Sequence, residues 1–224
     1  MGGMIWAWLL SLGIPLIVFF VSSLIVSLRQ IPHYSFLTDF PFELFERRAN
    51  SGKILFYVAC GFDALGGAFL LVSHELHPQL LAFEILYLVS MVLKDVALAI
   101  VVSVPAYEFK SHIPTFTVFG AMTALSCALA TILFANLLYA NGALAITFAI
   151  IVGLLGLVAV GLLVNPKLAH WTQLNSKVEE DGTITTSRPR PFVLAFTEWL
   201  LAFISFGAGL LALIGFALVS LSQI

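Results

Sequence analysis

The sequence predicts an all-α protein, a bundle of six transmembrane helices in one domain spanning residues 1–224. Of the 224 residues, 61% are hydrophobic and only 10% are charged. The mean hydropathy is +1.07, whereas soluble domains have about 45–50% apolar and about 25% charged residues. Each apolar run is long enough for the roughly 20 residues that one spanning helix needs. None alternates as barrel strands do. The runs are Ile5–Leu28, Ile54–Ser73, Leu80–Val104, Ile113–Leu138, Leu144–Val164 and Phe192–Leu221.

The connections between these runs differ in length. Three are short and predict antiparallel neighbouring helices: His74–Gln79, Pro105–His112 and Tyr139–Ala143. The last of these contains an Asn-Gly pair, which is typical of a turn. Two are long, Arg29–Lys53 and Asn165–Pro191, and we expect the second to be a surface loop.

The positive charges predict an orientation. Nine of the ten Lys and Arg residues lie in the first, third and fifth loops, and the tenth, Lys94, lies within an apolar run. Loops rich in Lys and Arg stay in the cytosol, so this rule places both termini on the opposite side.

Ionisable side chains within the apolar runs are the first candidates for chemistry: Asp63, Glu84, Lys94, Asp95 and Glu198. Each costs about 2.5–3.5 kcal/mol at the centre of a spanning helix, so we expect them to face the bundle interior. Glu84 and Asp95 are about three helical turns apart and share one face. Two interpretations stay open: a polar pocket for a lipid headgroup or a proton-transfer step, and interhelical hydrogen bonds that only fix the packing.

A metal centre is a weaker hypothesis. The His74–Glu75–Leu76–His77 segment lacks the H-E-x-x-H spacing of zinc proteases. A zinc-dependent intramembrane lipid hydrolase would need about three His, an Asp and a Ser. The chain could supply them from His74, His77, His112, Asp63 or Asp95, and Ser73. Phosphate-binding glycine motifs and a nucleophile elbow are absent, and the basic residues are too few for nucleic acid. We predict no cofactor and no bound metal.

Two stretches resemble a known family. Lys94–Phe119 has a polar pair opening an apolar run, then a short polar loop with Phe109 and His112. Phe196–Phe203 places Glu198 beside Trp199 near the start of the last helix. Both resemble the post-GPI-attachment-to-proteins factor 2 family, part of a six-helix superfamily that includes the damage-regulated autophagy modulators. The segment Phe36–Glu43 resembles the superfamily's loop motif only loosely.

The resemblance implies a membrane factor that restores a saturated acyl chain on GPI-anchored proteins, with membrane lipids and those proteins as partners. It implies the Golgi or endoplasmic reticulum membrane, with the first loop and His112 in the lumen, against the charge rule. Whether the chain is itself an enzyme is left open. The alternative is a non-enzymatic regulator in the lysosomal or plasma membrane. The candidate catalytic residues are His112, Glu198 and Asp95. The candidate substrate-binding residues are Asp63, Glu84, Lys94 and Trp199.

His112 and Glu198 are predicted to meet. His112 lies just before the fourth predicted helix and Glu198 lies one to two turns into the sixth. Because odd-numbered loops share one side of the membrane, both residues lie at similar depth. We therefore expect one site at headgroup level, with the first long loop as a lid. In the alternative, His112 is solvated at the interface and Glu198 bonds a neighbouring helix.

Overall fold

A computed structural model gives the fold for part of the chain. It describes residues 34–40, 80–103, 109–168, 175–178, 184–187 and 191–221, and positions 21, 25, 41, 43, 57, 58, 60, 61, 63 and 64. The elements are α1 (Leu81–Ser103), α2 (Phe109–Asn136), α3 (Leu138–Leu163), β1 (Asn175–Val178), β2 (Ile184–Ser187) and α4 (Val193–Leu221). Each of these four helices is long and apolar enough to cross a membrane, so the chain is an integral membrane protein.

The described helices correspond to the last four of the six predicted ones. Most of the first predicted helix, Ile5–Leu28, lies outside the described residues, although Val21 and Ile25 are helical. The second, Ile54–Ser73, is described at six positions between 57 and 64, all of them helical. The third agrees with α1 to within one residue at each end.

The fourth predicted helix begins too late. α2 starts at Phe109, so His112 lies inside its first turn rather than before it. Hydropathy places the predicted start at Ile113 because the three preceding residues are polar. A polar residue in this turn is nevertheless compatible with burial when a partner on another helix satisfies it, and His112 has such a partner.

The predicted turn at Tyr139–Ala143 is wrong. Leu137 alone separates α2 from α3, and its backbone N–H donates to the Phe134 carbonyl at 2.9 Å. The Asn141–Gly142 pair continues the helix instead of forming a turn. In an apolar solvent a backbone gains more from continuing its own helical hydrogen bonds than from opening a loop, which explains why the turn signal fails here.

Small residues set the packing of α2 against α3. A Cβ at Gly156 would lie 2.8 Å from the Cβ of Cys127, and one at Gly153 would lie 3.3 Å from the Thr131 hydroxyl. As one helix ascends from 127 to 131, the other descends from 156 to 153, so the two run antiparallel. Glycine is needed at Gly156 because a larger residue would separate the helices.

Of the four described helices, α3 has the most exposed apolar surface. In the apolar stretch of α3 that can span the membrane, 28% is buried inside the protein, compared with 50% in each of the other three described helices. Leu154 and Leu157 remain 56% and 68% exposed. Side chains of this size are stable on a surface that lipid covers, whereas water would penalise them.

The long loop before α4 contains a small hairpin that the all-α prediction missed. β1 pairs with β2 in antiparallel register, from Asn175 opposite Ser187 to Val178 opposite Ile184. The segment between the strands, Glu179–Thr183, contains the Asp-Gly pair typical of a hairpin turn and lies outside the described residues. Three consecutive β-branched residues, Ile184, Thr185 and Thr186, favour the second strand.

Candidate functional site: a buried histidine–glutamate pair under an aromatic cover

His112 and Glu198 lie in contact, as the sequence predicts. His112 is in the first turn of α2 and Glu198 in the second turn of α4. His112 Nε2 and Glu198 Oε1 are 2.5 Å apart, and the two side chains are 0% and 1% exposed. The pair therefore joins positions 86 residues apart in the sequence. The alternative of a solvated His112 is wrong, because its side chain is buried. Glu198 does bond a neighbouring helix, and its partner there is His112.

The first long loop covers this pair. Residues 34–40, which we call the cover segment, place the buried Phe40 ring edge-on against the His112 imidazole, with ring centroids 6.0 Å apart. Phe40 also packs edge-on against Phe192, just before α4, at 5.4 Å. The Phe192 backbone N–H donates to the Leu37 carbonyl at 2.8 Å. The cover segment is thus attached to the start of the helix that carries Glu198.

Local hydrogen bonds shape the cover segment. The Asp39 carboxylate accepts from the backbone N–H of Ser35 at 2.8 Å, which closes a turn. Glu43 Oε2 accepts from the Phe40 N–H at 2.8 Å, and Pro41 and Glu43 are helical. A proline in the first helical position and a glutamate that reaches back to the N-cap amide both favour a helix start, and the second is one half of a capping box. This arrangement directs Phe40 inwards.

Trp199 fastens the cover segment. Its indole N–H is shared between the Tyr34 hydroxyl at 3.0 Å and the Asp39 carbonyl at 3.1 Å. The Tyr34 hydroxyl in turn donates to the Phe40 carbonyl at 2.9 Å. Burial raises the pKa of Tyr34 far above its usual range, so the hydroxyl keeps its proton and remains a donor. The Phe36 ring packs edge-on against Trp199 at 4.9 Å.

The second carboxylate oxygen of Glu198 is the atom through which the pair can act. Within the described part of the chain, Oε2 is buried and accepts no hydrogen bond. A buried carboxylate oxygen without a donor is costly, so it favours a hydroxyl or amide placed opposite it. A histidine held by a carboxylate can move one proton in acid–base chemistry.

Asp95 belongs to a different centre. The Lys94 ammonium forms an ion pair with Asp63, and it lies 3.7 Å from Asp95 Oδ1. We call these three residues the interior triad. Asp63 also contacts α4 at Gly209, eleven residues beyond Glu198 and about 16 Å along the helix axis. Asp95, predicted as catalytic, thus lies with Lys94 and Asp63, which were predicted to bind substrate.

Glu84 lies farther still from the His112–Glu198 pair. It is 3% exposed, on the same buried face of α1 as Asp95. Eleven residues separate it from Asp95, or about 16 Å of helix, in the direction away from the end of α1 that precedes α2. The predicted burial of Glu84, Lys94, Asp95 and Glu198 is confirmed, but these residues occupy three levels instead of one pocket.

Tyr34 and Phe40 are site residues that sequence reasoning missed. Both lie in a long polar loop, where an aromatic residue gives no periodic signal. The local pattern Asp39–Phe40–Pro41–Phe42–Glu43 contains the helix-start chemistry that the structure uses. Pro41 in the first helical position and Glu43 two residues later would have predicted a helix start here.

Metal ligation finds no support in the described residues, where no group of three His, Cys, Asp or Glu side chains is placed to hold an ion. Ser73, His74 and His77, which the zinc hypothesis needs, lie outside the described residues. His112 faces Glu198 and the aromatic cover.

Comparison with known proteins gives no relative of this chain. No protein-family model matches this chain, and no curated protein or solved structure matches it.

Proposed function

We propose that this chain is a membrane factor in the fatty-acid remodelling of GPI-anchored proteins, and that the His112–Glu198 pair handles the proton of the acyl-transfer step. The contact between these two residues carries the proposal. Each comes from one of the two stretches whose sequence resembles the post-GPI-attachment factor family. Two short resemblances at distant positions therefore meet at one buried acid–base pair.

The chemistry assigned to the pair is a single proton relay. A lipid hydroxyl opposite Glu198 Oε2 gives up its proton as its oxygen attacks the acyl carbonyl. The new C–O bond forms, the bond from the carbonyl to the donor's leaving group breaks, and the pair returns the proton to that group. His112 holds Glu198 in place and stabilises its charge, which is the role that an oriented partner plays in catalytic dyads and triads.

A substrate reaches this pair when the cover segment moves. Phe203, 46% exposed on α4, stacks on Trp199 with ring centroids 5.7 Å apart. Phe36 packs against both rings. These three rings form an apolar surface between the lipid-facing side of α4 and the cover segment, which suits an acyl chain. Movement of the cover segment would then expose Glu198 to the hydroxyl of the lipid.

The test is complementation in cells that lack the protein. His112→Ala and Glu198→Gln should each abolish the saturated acyl chain on GPI anchors, measured by mass spectrometry of the released lipid, with protein abundance unchanged. Ser205→Ala is the matched control, because Ser205 is equally buried and lies two turns farther along the same face of α4. A normal amount of the saturated acyl chain on GPI anchors in both His112→Ala and Glu198→Gln would reject the proposal.

The proposal also requires a membrane orientation. The pair must face the lumen, where GPI anchors lie, so the C terminus must be cytosolic. A C-terminal tag should then be digested by protease added to sealed microsomes. Protection of the tag would support the charge rule and contradict the proposal.

A non-enzymatic regulator is the second candidate, and the complete burial of His112 and Glu198 favours it. In that case the pair fixes α2 against α4 and the cover segment never opens. His112→Ala and Glu198→Gln would then lower protein abundance or thermal stability and leave the lipid composition of GPI anchors unchanged per molecule of protein.

A further inference from the structure

The interior triad has an imbalance of charge that the His112–Glu198 pair does not explain. It contains two acids, Asp63 and Asp95, and one base, Lys94, which is 1% exposed. Lys94 is in direct contact with Asp63, whereas its distance of 3.7 Å from Asp95 Oδ1 is too long for a hydrogen bond. Neither carboxylate oxygen of Asp95 has a hydrogen-bond partner within the described residues.

Full ionisation of these groups would leave a net negative charge inside the membrane. An isolated carboxylate in a low-dielectric interior is strongly disfavoured unless a counterion or a proton neutralises it. Among the described residues, the other ionisable groups near the triad are Cys60 beside Asp95, Cys127 on α2 beside Lys94, and Tyr87 on α1. None of these side chains can supply a positive charge.

The packing on the Lys94 and Asp63 side of the triad leaves no room for a metal cation. The crevice beside Lys94 has no space for even a water molecule, and its walls include Ser126, Cys127 and Gly209. A Cβ at Gly209 would already collide with the Asp63 carboxylate. A sodium ion needs several oxygen ligands around it, whereas a proton needs no additional volume.

We propose that the interior triad is a proton-binding site, in which Asp95 carries an exchangeable proton while Lys94 and Asp63 remain a charged pair. The triad is then neutral overall and compatible with its burial. This site lies about 16 Å along α4 from Glu198 and stands independently of the lipid-remodelling proposal.

Proton release from Asp95 has a structural consequence. It would leave an excess negative charge between α1, the helical residues around position 63, and α4. The charge can be accommodated only if water enters or these elements separate. Packing in the middle of the bundle is therefore linked to occupancy of this proton, so the triad can couple a proton to helix movement.

Infrared difference spectroscopy of the full-length protein in lipid nanodiscs tests the proposal. Protonated carboxylic acids have a carbonyl stretch that carboxylates lack, and this band shifts in heavy water. Relative to the natural chain at neutral pH, Asp95→Asn should remove one such band. Glu84→Gln and Glu198→Gln identify the contributions of the other buried acids. No band lost in Asp95→Asn means that Asp95 is ionised, and the proposal is overturned.

Two further variants should change the intensity of this infrared band in opposite directions. Asp63→Asn leaves Lys94 with Asp95 as its partner, so Asp95 should ionise and the same band should disappear. Lys94→Met leaves two acids without a base, so the band should roughly double as both become protonated. A band that survives Asp63→Asn, or one that fails to grow in a folded Lys94→Met protein, contradicts the sharing of one ammonium between two carboxyls.

Discussion

The His112–Glu198 pair and the interior triad are both buried polar centres, yet they differ in charge and in cover. The pair has one acid for one base, lies within two turns of the helix starts, and is covered by residues 34–40. The triad has two acids for one base and lies deep between helices. Position along the helices explains the difference. Near a helix end a loop can fold over the site, whereas in the bundle interior only other helices can supply partners.

The comparison also separates two uses of the same helix. α4 carries Glu198 near its start and packs Gly209 against Asp63 three turns later. Near its start α4 contributes the Glu198 carboxylate, whereas at Gly209 the missing side chain leaves room for Asp63. If the two centres are independent, variants at one level should leave the other unaffected.

The largest effect is expected from Lys94→Met. It removes the one base of the triad and leaves two buried acids, so we expect a loss of about 3 kcal/mol of stability, the low end for breaking a buried ion pair because the acids can take up protons. Detergent-induced unfolding of the purified protein measures this loss. Asp95→Asn keeps the Lys94–Asp63 pair and should cost less than about 1 kcal/mol. Equal losses in the two variants would contradict the division of roles within the triad.

Gly209→Ala is expected to have an intermediate effect. The new Cβ would overlap the Asp63 carboxylate and push it from Lys94, at a cost of about 1–3 kcal/mol. Gly207→Ala is the matched control two residues away, where nothing lies within 4 Å of the added Cβ. Its stability should change by less than about 0.5 kcal/mol. Similar unfolding curves for both variants would show that Gly209 has no special packing role.

Tyr34→Phe should have a smaller effect than Lys94→Met or Gly209→Ala and should act only on the cover segment. The substitution removes the hydroxyl that accepts from the Trp199 indole and donates to the Phe40 carbonyl. We expect a loss of about 1 kcal/mol and faster hydrogen exchange in residues 34–40, measured by mass spectrometry.

Tyr57→Phe serves as its control, because the Tyr57 hydroxyl pairs with Ser103 at 2.6 Å, a contact in which no residue of the cover segment takes part. Exchange in residues 34–40 should be unchanged in this variant. Faster exchange there in Tyr57→Phe alone would show that the Trp199–Tyr34 contacts do not hold the cover.

The sequence predicted the meeting of His112 and Glu198 without predicting what surrounds them. The order of the helices and the rule that odd-numbered loops share one side of the membrane place the two residues at one depth, and their contact is confirmed. Asp95, the third catalytic candidate, does not join them, because its depth along α1 separates it from the start of α2. The cover by Tyr34 and Phe40 depends on loop geometry, for which hydropathy carries no information.

By itself the sequence determined that this is a helical membrane protein whose intramembrane charges face inwards. Both conclusions follow from solvation: apolar runs of this length favour lipid, and lipid rejects an unpaired charge. The tertiary structure alone decided which of the charges deep in the bundle become partners. Lys94 is next to Asp95 in the sequence but pairs with Asp63, which lies outside α1. Consecutive residues of a helix point in different directions, so a side chain bonds the group that packing brings opposite it.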